Sequence, residues 1–100
     1  MAWSSEGKKT NPAAGTLLAD TGGLPAMSLG SNLIIWSNVF VRLIIAVRNA
    51  TNTADVAAQT VECTGNFIAL GVPVTLVLNQ RLIIRTDNDI AGDVQGSIIY

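Results

Sequence analysis

From Gly15 onward short apolar runs alternate with clusters of turn-forming residues: Thr21-Gly22-Gly23, Leu24-Pro25, Leu29-Gly30-Ser31-Asn32, Asn49-Ala50-Thr51-Asn52, Thr64-Gly65-Asn66, Gly71-Val72-Pro73, Asn79-Gln80 and Asp87-Asn88-Asp89. Many brief strands produce this punctuation. Between Val39 and Val47 the period is two: Val39, Val41, Leu43, Ile45 and Val47 share one face of an extended chain, and Phe40, Arg42, Ile44 and Ala46 the other. The first is a core face. The second is too apolar for open solvent and too charged for a dry interior, and reads as a contact with another subunit. Val74, Leu76 and Leu78 alternate with Thr75, Val77 and Asn79, and Leu82, Ile84 and Thr86 with Arg81, Ile83 and Arg85. The short turn between these two runs predicts a hairpin. Val94, Gly96, Ile98 and Tyr100 form one face of a closing strand. Residues Ala54 to Val61 mix helix-favouring alanine with strand-favouring Val and Thr, and their context decides for strand.

Seven or eight short strands without a helix predict an all-β chain, an antiparallel β-sandwich of jelly-roll or similar Greek-key type, over residues 17–100. Residues 1–16 hold Gly7, Gly15, Asn11-Pro12 and several Ser, Thr and Lys residues, and read as an extended N-terminal arm. Trp3 is its only large apolar group. Either the segment is a frayed terminus, or Trp3 anchors it on a neighbouring subunit.

At 100 residues the chain is a single domain. Only 13% of it is charged and 49% is hydrophobic, against about 25% charged in ordinary soluble domains, so part of its surface is expected to meet something other than water. The basic residues Lys8, Lys9, Arg42, Arg48, Arg81 and Arg85 form no stripe, and the net charge is −1; nucleic acid is therefore not an expected partner. The most apolar stretch, Leu33 to Val47, is too short for a membrane helix, which needs roughly 20 residues, and holds Arg42 near its centre. No membrane partner is expected. The polar start, Met1 to Lys9, has no apolar stretch of a secretion signal.

Chemistry is sparse. There is no histidine, so imidazole triads, the usual base near neutral pH and the commonest metal ligand are all missing. Cys63 is the single cysteine; it follows Glu62 and reads as a partly buried structural thiol. Asp87-Asn88-Asp89-Ile90-Ala91-Gly92-Asp93 gathers oxygen ligands as a calcium loop does. Ala91 and Ile98 stand where an EF-hand needs oxygen donors, and the segment reads as a polar turn. Asn49-Ala50-Thr51 fits a glycosylation sequon but is given only a turn role. Trp36, Phe40, Phe67 and Tyr100 are candidates for a sugar-stacking platform, with core packing the favoured assignment. No cofactor, metal or catalytic residue is expected, and the chain is read as a non-enzyme. The candidate partner-binding residues are Trp3, Phe40, Arg42 and Ile44.

Three stretches, Leu18 to Ala26 (LADTGGLPA), Val47 to Ala54 (VRNATNTA) and Gly92 to Tyr100 (GDVQGSIIY), together resemble small β-sandwich head decoration, or cement, proteins of tailed bacteriophages. The chain departs from that pattern after Ala26, where Met27-Ser28-Leu29-Gly30 stands instead of a glycine and an alternating polar strand. The resemblance implies a virion protein on the outer surface of a capsid. It would be a homo-oligomer, a trimer being favoured, and would clamp neighbouring major capsid proteins. A carbohydrate- or receptor-binding β-sandwich module, such as a tail-fibre tip, is the alternative expectation.

Overall fold

The computed structural model describes residues 2–100; Met1, the first residue of the expected arm, lies outside them. Nine strands follow one another: β1 (Trp3–Ser4), β2 (Lys9–Thr10), β3 (Leu17–Asp20), β4 (Met27–Ser37), β5 (Phe40–Arg48), β6 (Asp55–Thr64), β7 (Phe67–Leu76), β8 (Arg81–Thr86) and β9 (Asp93–Ile99). They form two antiparallel sheets packed as a β-sandwich. In the first, here sheet A, β9 lies between β4 and the short pieces β1 and β2, and β7 forms the far edge. In sheet B the order is β3-β8-β5-β6. From β3 to β9 every connection crosses between the sheets except that from β5 to β6, which pair within sheet B, and the orders 2-9-4-7 and 3-8-5-6 result, which is the jelly-roll arrangement of two interleaved Greek keys.

The core is the set of inward positions that the alternation marks. Leu29, Leu33 and Ile35 of β4, Val41, Leu43, Ile45 and Val47 of β5, Leu82 and Ile84 of β8, and Val94 and Ile98 of β9 are buried together. Each fully buried Leu or Ile removes enough apolar surface from water to contribute about 1.5–3 kcal/mol. Gly96, between Val94 and Ile98 on the same face of β9, lies close against side chains of sheet B. A Cβ placed there would stand 3.2 Å from Leu18 Cβ and 3.4 Å from Ile84 Cδ1.

One expectation about strand pairing is corrected. The Val74–Asn79 and Arg81–Thr86 runs are not a hairpin: β7 pairs with β4 in sheet A, and β8 pairs with β5 and β3 in sheet B. Residues 77–80 do make a tight turn, closed by Gln80 N–H to Val77 O at 3.1 Å and by Val77 N–H to Gln80 Oε1 at 3.0 Å, with Asn79 at φ 67°. The turn crosses from one layer to the other. Alternation reports which face of a strand is buried, and two strands facing each other across a core alternate just as two paired strands do. The apolar stretch Leu33 to Val47 likewise splits between sheets, with β4 and β5 meeting at a corner fixed by Ser37 Oγ–H to Val39 O at 2.8 Å. No helix among the described residues is long and apolar enough to cross a membrane.

Residues 2–16 run extended along one side of their own sandwich. Trp3 pairs with Ile99 and Lys9 with Val94 on β9. Glu6 N–H reaches Leu18 O at 2.8 Å, and Gly15 N–H reaches Thr86 O at 2.9 Å. The segment thus passes from sheet A to sheet B and closes that side. Buried Thr86 holds its end, donating to Ala13 O at 2.8 Å and accepting from Thr16 N–H at 2.9 Å. The side chain of Trp3 stays 64% exposed.

Candidate functional site

The two outward faces of the sandwich differ in charge. On sheet B, register sets Phe40, Arg42, Ile44 and Arg48 outward, beside Glu62 and Thr60 of β6 and Arg81 and Arg85 of β8. All four arginines of the chain therefore lie on this face, and each meets a carboxylate. Arg42 Nη2 stands 3.5 Å from Glu62 Oε1, Arg81 Nη1 3.0 Å from Asp20 Oδ2, and Arg48 and Arg85 share Asp55. Arg85 grips both Asp55 oxygens, at 3.0 and 2.7 Å, and Arg48 Nη1 donates to Oδ1 at 2.9 Å. These bonds, that from Arg85 foremost and that from Arg48 next, lower the Asp55 pKa to about 2, while burial opposes them. The same contact raises the Arg85 pKa. Ile83 and Ala46, outward by register, are still buried; Ile83 lines one hollow with Arg48 and Arg85, whose stems cover apolar surface while their charges meet carboxylates.

Sheet A turns a different face outward. Ser28, Gly30, Asn32, Ile34 and Trp36 of β4 alternate with the core residues and lie opposite Thr75, Pro73, Gly71, Ala69 and Phe67 of β7. On the other flank Asn32, Ile34 and Trp36 meet Ile99, Ser97 and Gln95 of β9, and Trp3 continues the Ile99 row. Among the described residues this face carries charge only at its rim, where Lys8 and Asp93 stand 3.8 Å apart. Its aromatics are open: Phe67 is 55% and Trp36 38% exposed. A hollow of about 300 Å³ lies between Ile34, Trp36, Phe67, Gln95 and Ser97. A second, of about 370 Å³, lies at the far end by Ser28, Gly30, Pro73 and Thr75.

The four candidate partner residues do not share one surface. Phe40, Arg42 and Ile44 come together on sheet B, with Phe40 51% exposed, whereas Trp3 is on sheet A. Core packing of the aromatics is corrected for three of them: Trp36, Phe40 and Phe67 occupy outward strand positions. Tyr100 does pack against the core, and its hydroxyl donates to Thr21 O at 3.2 Å. Sequence reasoning missed sheet A's face because it took Leu29-Gly30-Ser31-Asn32 and Gly71-Val72-Pro73 for turns, whereas they lie within β4 and β7 and pair with each other there. The signal was present as Ser28, Gly30 and Asn32 interleaved with Leu29, Ser31 and Leu33.

The remaining candidates are accounted for locally. Asp89 Oδ1 accepts from Ala14 N–H at 2.8 Å and Asp93 faces Lys8, so the acidic turn's carboxylates point to separate partners. Asn49 Oδ1 accepts from Thr53 N–H at 2.8 Å and closes the turn before β6. Cys63 is buried, accepts from Ser37 Oγ–H at 3.3 Å and donates to Asn66 O at 3.1 Å. Between the edge strands β6 and β7 the sandwich gapes, leaving a cleft of about 160 Å³ lined by Ile45, Val47, Ala57, Gln59, Val72 and Val74.

No family model matches this sequence, and no curated protein matches it at a significant level. Among solved structures, the chain is similar to part of an exo-β-1,3-galactanase from Phanerochaete chrysosporium, crystallised with galactose, at 8% identity and a TM-score of 0.49. The alignment covers 99% of this chain and 27% of the galactanase, so the chain spans about a quarter of that protein.

Proposed function

We propose that this protein is a non-enzymatic structural subunit of a virion, a decoration or cement protein that docks on major capsid protein through the outward face of sheet A. The observation that carries this reading is the segregation of charge. Every arginine and its carboxylate partner lie on sheet B, while Trp3, Ile34, Trp36, Phe67 and Ile99 share a face charged only at its rim. A solvated sandwich gains nothing from leaving one face with exposed aromatics and almost no charge, whereas a docking surface does. The jelly roll serves viral capsid and lectin domains alike, so the fold itself favours neither function.

Co-sedimentation with heads stripped of accessory proteins tests the reading. Wild-type protein pellets with the heads, and Phe67→Glu, a charge at an exposed strand position, stays in the supernatant while remaining folded. If Phe40→Asp abolishes pelleting and Phe67→Glu does not, the docking face is that of sheet B. A wild-type chain that binds no capsid lattice overturns the role.

One observation favours a second reading, a carbohydrate-binding module. Trp36 and Phe67 are directly opposed across β4 and β7, with the amide of Gln95 on Trp36's other flank. Aromatic faces beside a hydrogen-bonding amide suit the apolar and hydroxylated surfaces of a pyranose. A glycan array on which wild type binds and Trp36→Ala does not would establish it.

A further inference from the structure

We propose that two copies of this chain join edge to edge through β6, antiparallel about a two-fold axis that passes beside Thr60 normal to sheet B. The pairing stands on the backbone of β6; only its consequence for docking rests on the proposed function. An edge strand carries a row of unpaired N–H and C=O groups, and soluble proteins blunt it by shortness, proline, bulges or a covering segment. Among the described residues every edge but one is blunted. β1, β2 and β3 are short, and the N-terminal segment runs along β3, where Glu6 N–H bonds Leu18 O. Ser37 N–H bonds Asn66 O, which sets the odd residues of β4 and the even residues of β7 toward each other. Pro73 therefore turns its nitrogen to the free edge of β7, where proline is tolerated and pairing is blocked. β6 has none of these devices. From Ala57 to Thr64 its register with β5 is unbroken, and it holds no proline, glycine or lysine.

The backbone decides which groups are free. Arg42 O accepts from Asp87 N–H on the β8 side. Neighbouring residues of a strand turn their backbone groups to opposite sides, so Val41, Leu43, Ile45 and Val47 bond to Cys63, Val61, Gln59 and Ala57 of β6. Val56, Ala58, Thr60, Glu62 and Thr64 are left with N–H and C=O at the free edge. A second β6 matches this row. With Thr60 opposite its own symmetry mate, Ala58 faces Glu62 and Val56 faces Thr64 of the other copy, and each residue meets one that offers both a donor and an acceptor. Glu62, the only charge in the row, falls opposite Ala58, so no like charges meet across the axis. At about 3.4 Å per residue, Val56 to Thr64 spans about 30 Å. The contact is long and narrow, smaller than the roughly 1,200 Å² of a standard interface, and pairing depends on concentration. A two-fold axis normal to the sheet turns both outward faces of sheet A the same way, to within the twist of the sheets. Two docking faces presented together raise each other's effective concentration at a capsid lattice.

Sedimentation equilibrium of the full chain between about 1 and 500 μM tests the proposal, with the mass rising from one chain toward two. Thr60→Pro is the decisive variant. The Thr60 N–H serves no strand partner within the chain, so the fold keeps its ladder, the pair loses its central bonds and the mass stays that of one chain. Thr60→Lys, at an exposed position, makes the same test without altering the backbone. It sets lysine against lysine and weakens pairing about tenfold or more, and an equal mixture with Thr60→Glu pairs again. Thr75→Lys, on sheet A, pairs as wild type does. In hydrogen exchange the Ala58, Thr60 and Glu62 amides slow as concentration rises, whereas that of Val61, bonded to β5, is slow throughout. A wild-type mass of one chain at every concentration overturns the proposal, as does pairing that survives both Thr60→Pro and Thr60→Lys. On stripped heads Thr60→Pro lowers the apparent affinity, whereas Phe67→Glu removes head binding and leaves pairing intact. A pair that binds no head rejects the virion role and keeps the β6 contact; a single chain that binds heads does the reverse.

Discussion

Asp55 shows how much a single carboxylate does on an otherwise weakly charged molecule. It joins Arg48 at the end of β5 to Arg85 on β8, two strands that also pair through their backbones. Its pKa lies at about 2, below the ordinary value of 3.8. A carboxylate depressed by folding adds stability that is complete above its unfolded pKa and is lost as pH falls through the folded one. Solvent screening at this exposed site reduces the contribution to about 1 kcal/mol. Wild type should therefore lose about that much between pH 4 and pH 2, and Asp55→Asn should lack it already at pH 7, with a flatter profile below pH 4. Urea unfolding at stepped pH reads both. Thr86 gives a second test, since its buried hydroxyl bonds to Ala13 O and Thr16 N–H at the end of the N-terminal segment. Thr86→Val keeps the volume and removes both bonds, at a cost of about 1–3 kcal/mol. Faster hydrogen exchange at Gly15 and Thr16 than in β8 would show that the loss is local to the segment.

Among the elements, β9 carries the closest tolerance. Gly96 admits Leu18 and Ile84 at distances that leave little room for a methyl group, and both neighbours belong to the opposite sheet. Gly96→Val would force the sheets apart and is expected to cost about 1–3 kcal/mol as overpacking, read as a lowered thermal midpoint. Gly30→Ala on β4, where a Cβ meets open space, should leave that midpoint nearly unchanged. The contrast was half legible in the sequence. Alternation put Gly96 among core residues together with Val94 and Ile98, and it marked Val41, Leu43, Ile45 and Val47 correctly; these are statements about the face of a strand. It carried no information on strand partners, which is why β7 and β8 read as a hairpin although they lie in different sheets. The aromatic residues misled for a related reason. Hydrophobicity alone sends Trp36 and Phe67 to the core, but their neighbours Ile35 and Ile68 already take the inward positions, and a strand cannot send adjacent side chains to one face.

At the scale of the whole molecule, charge segregation makes a prediction that single substitutions do not. The sequence listed four arginines scattered along the chain; only the register of β5 and β8 collects them on one side and leaves sheet A's outward face charged at its rim alone. Association through that face has no charge pairs to screen. Raising sodium chloride from about 0.05 to 0.5 M shortens the screening length from above 10 Å to below 8 Å, and weakens only contacts that depend on opposite charges. Binding to heads should therefore hold its strength across that range. Sodium sulfate should strengthen it, because excluded salts favour apolar burial. If Arg42, Arg48 and Arg85 formed the contact instead, their carboxylates would exchange partners on binding and affinity would fall severalfold over the same range. Salt titration of head binding distinguishes these outcomes on the unmodified protein. A severalfold loss would move the docking surface to sheet B, where Phe40 and Ile44 flank Arg42 and supply the apolar component.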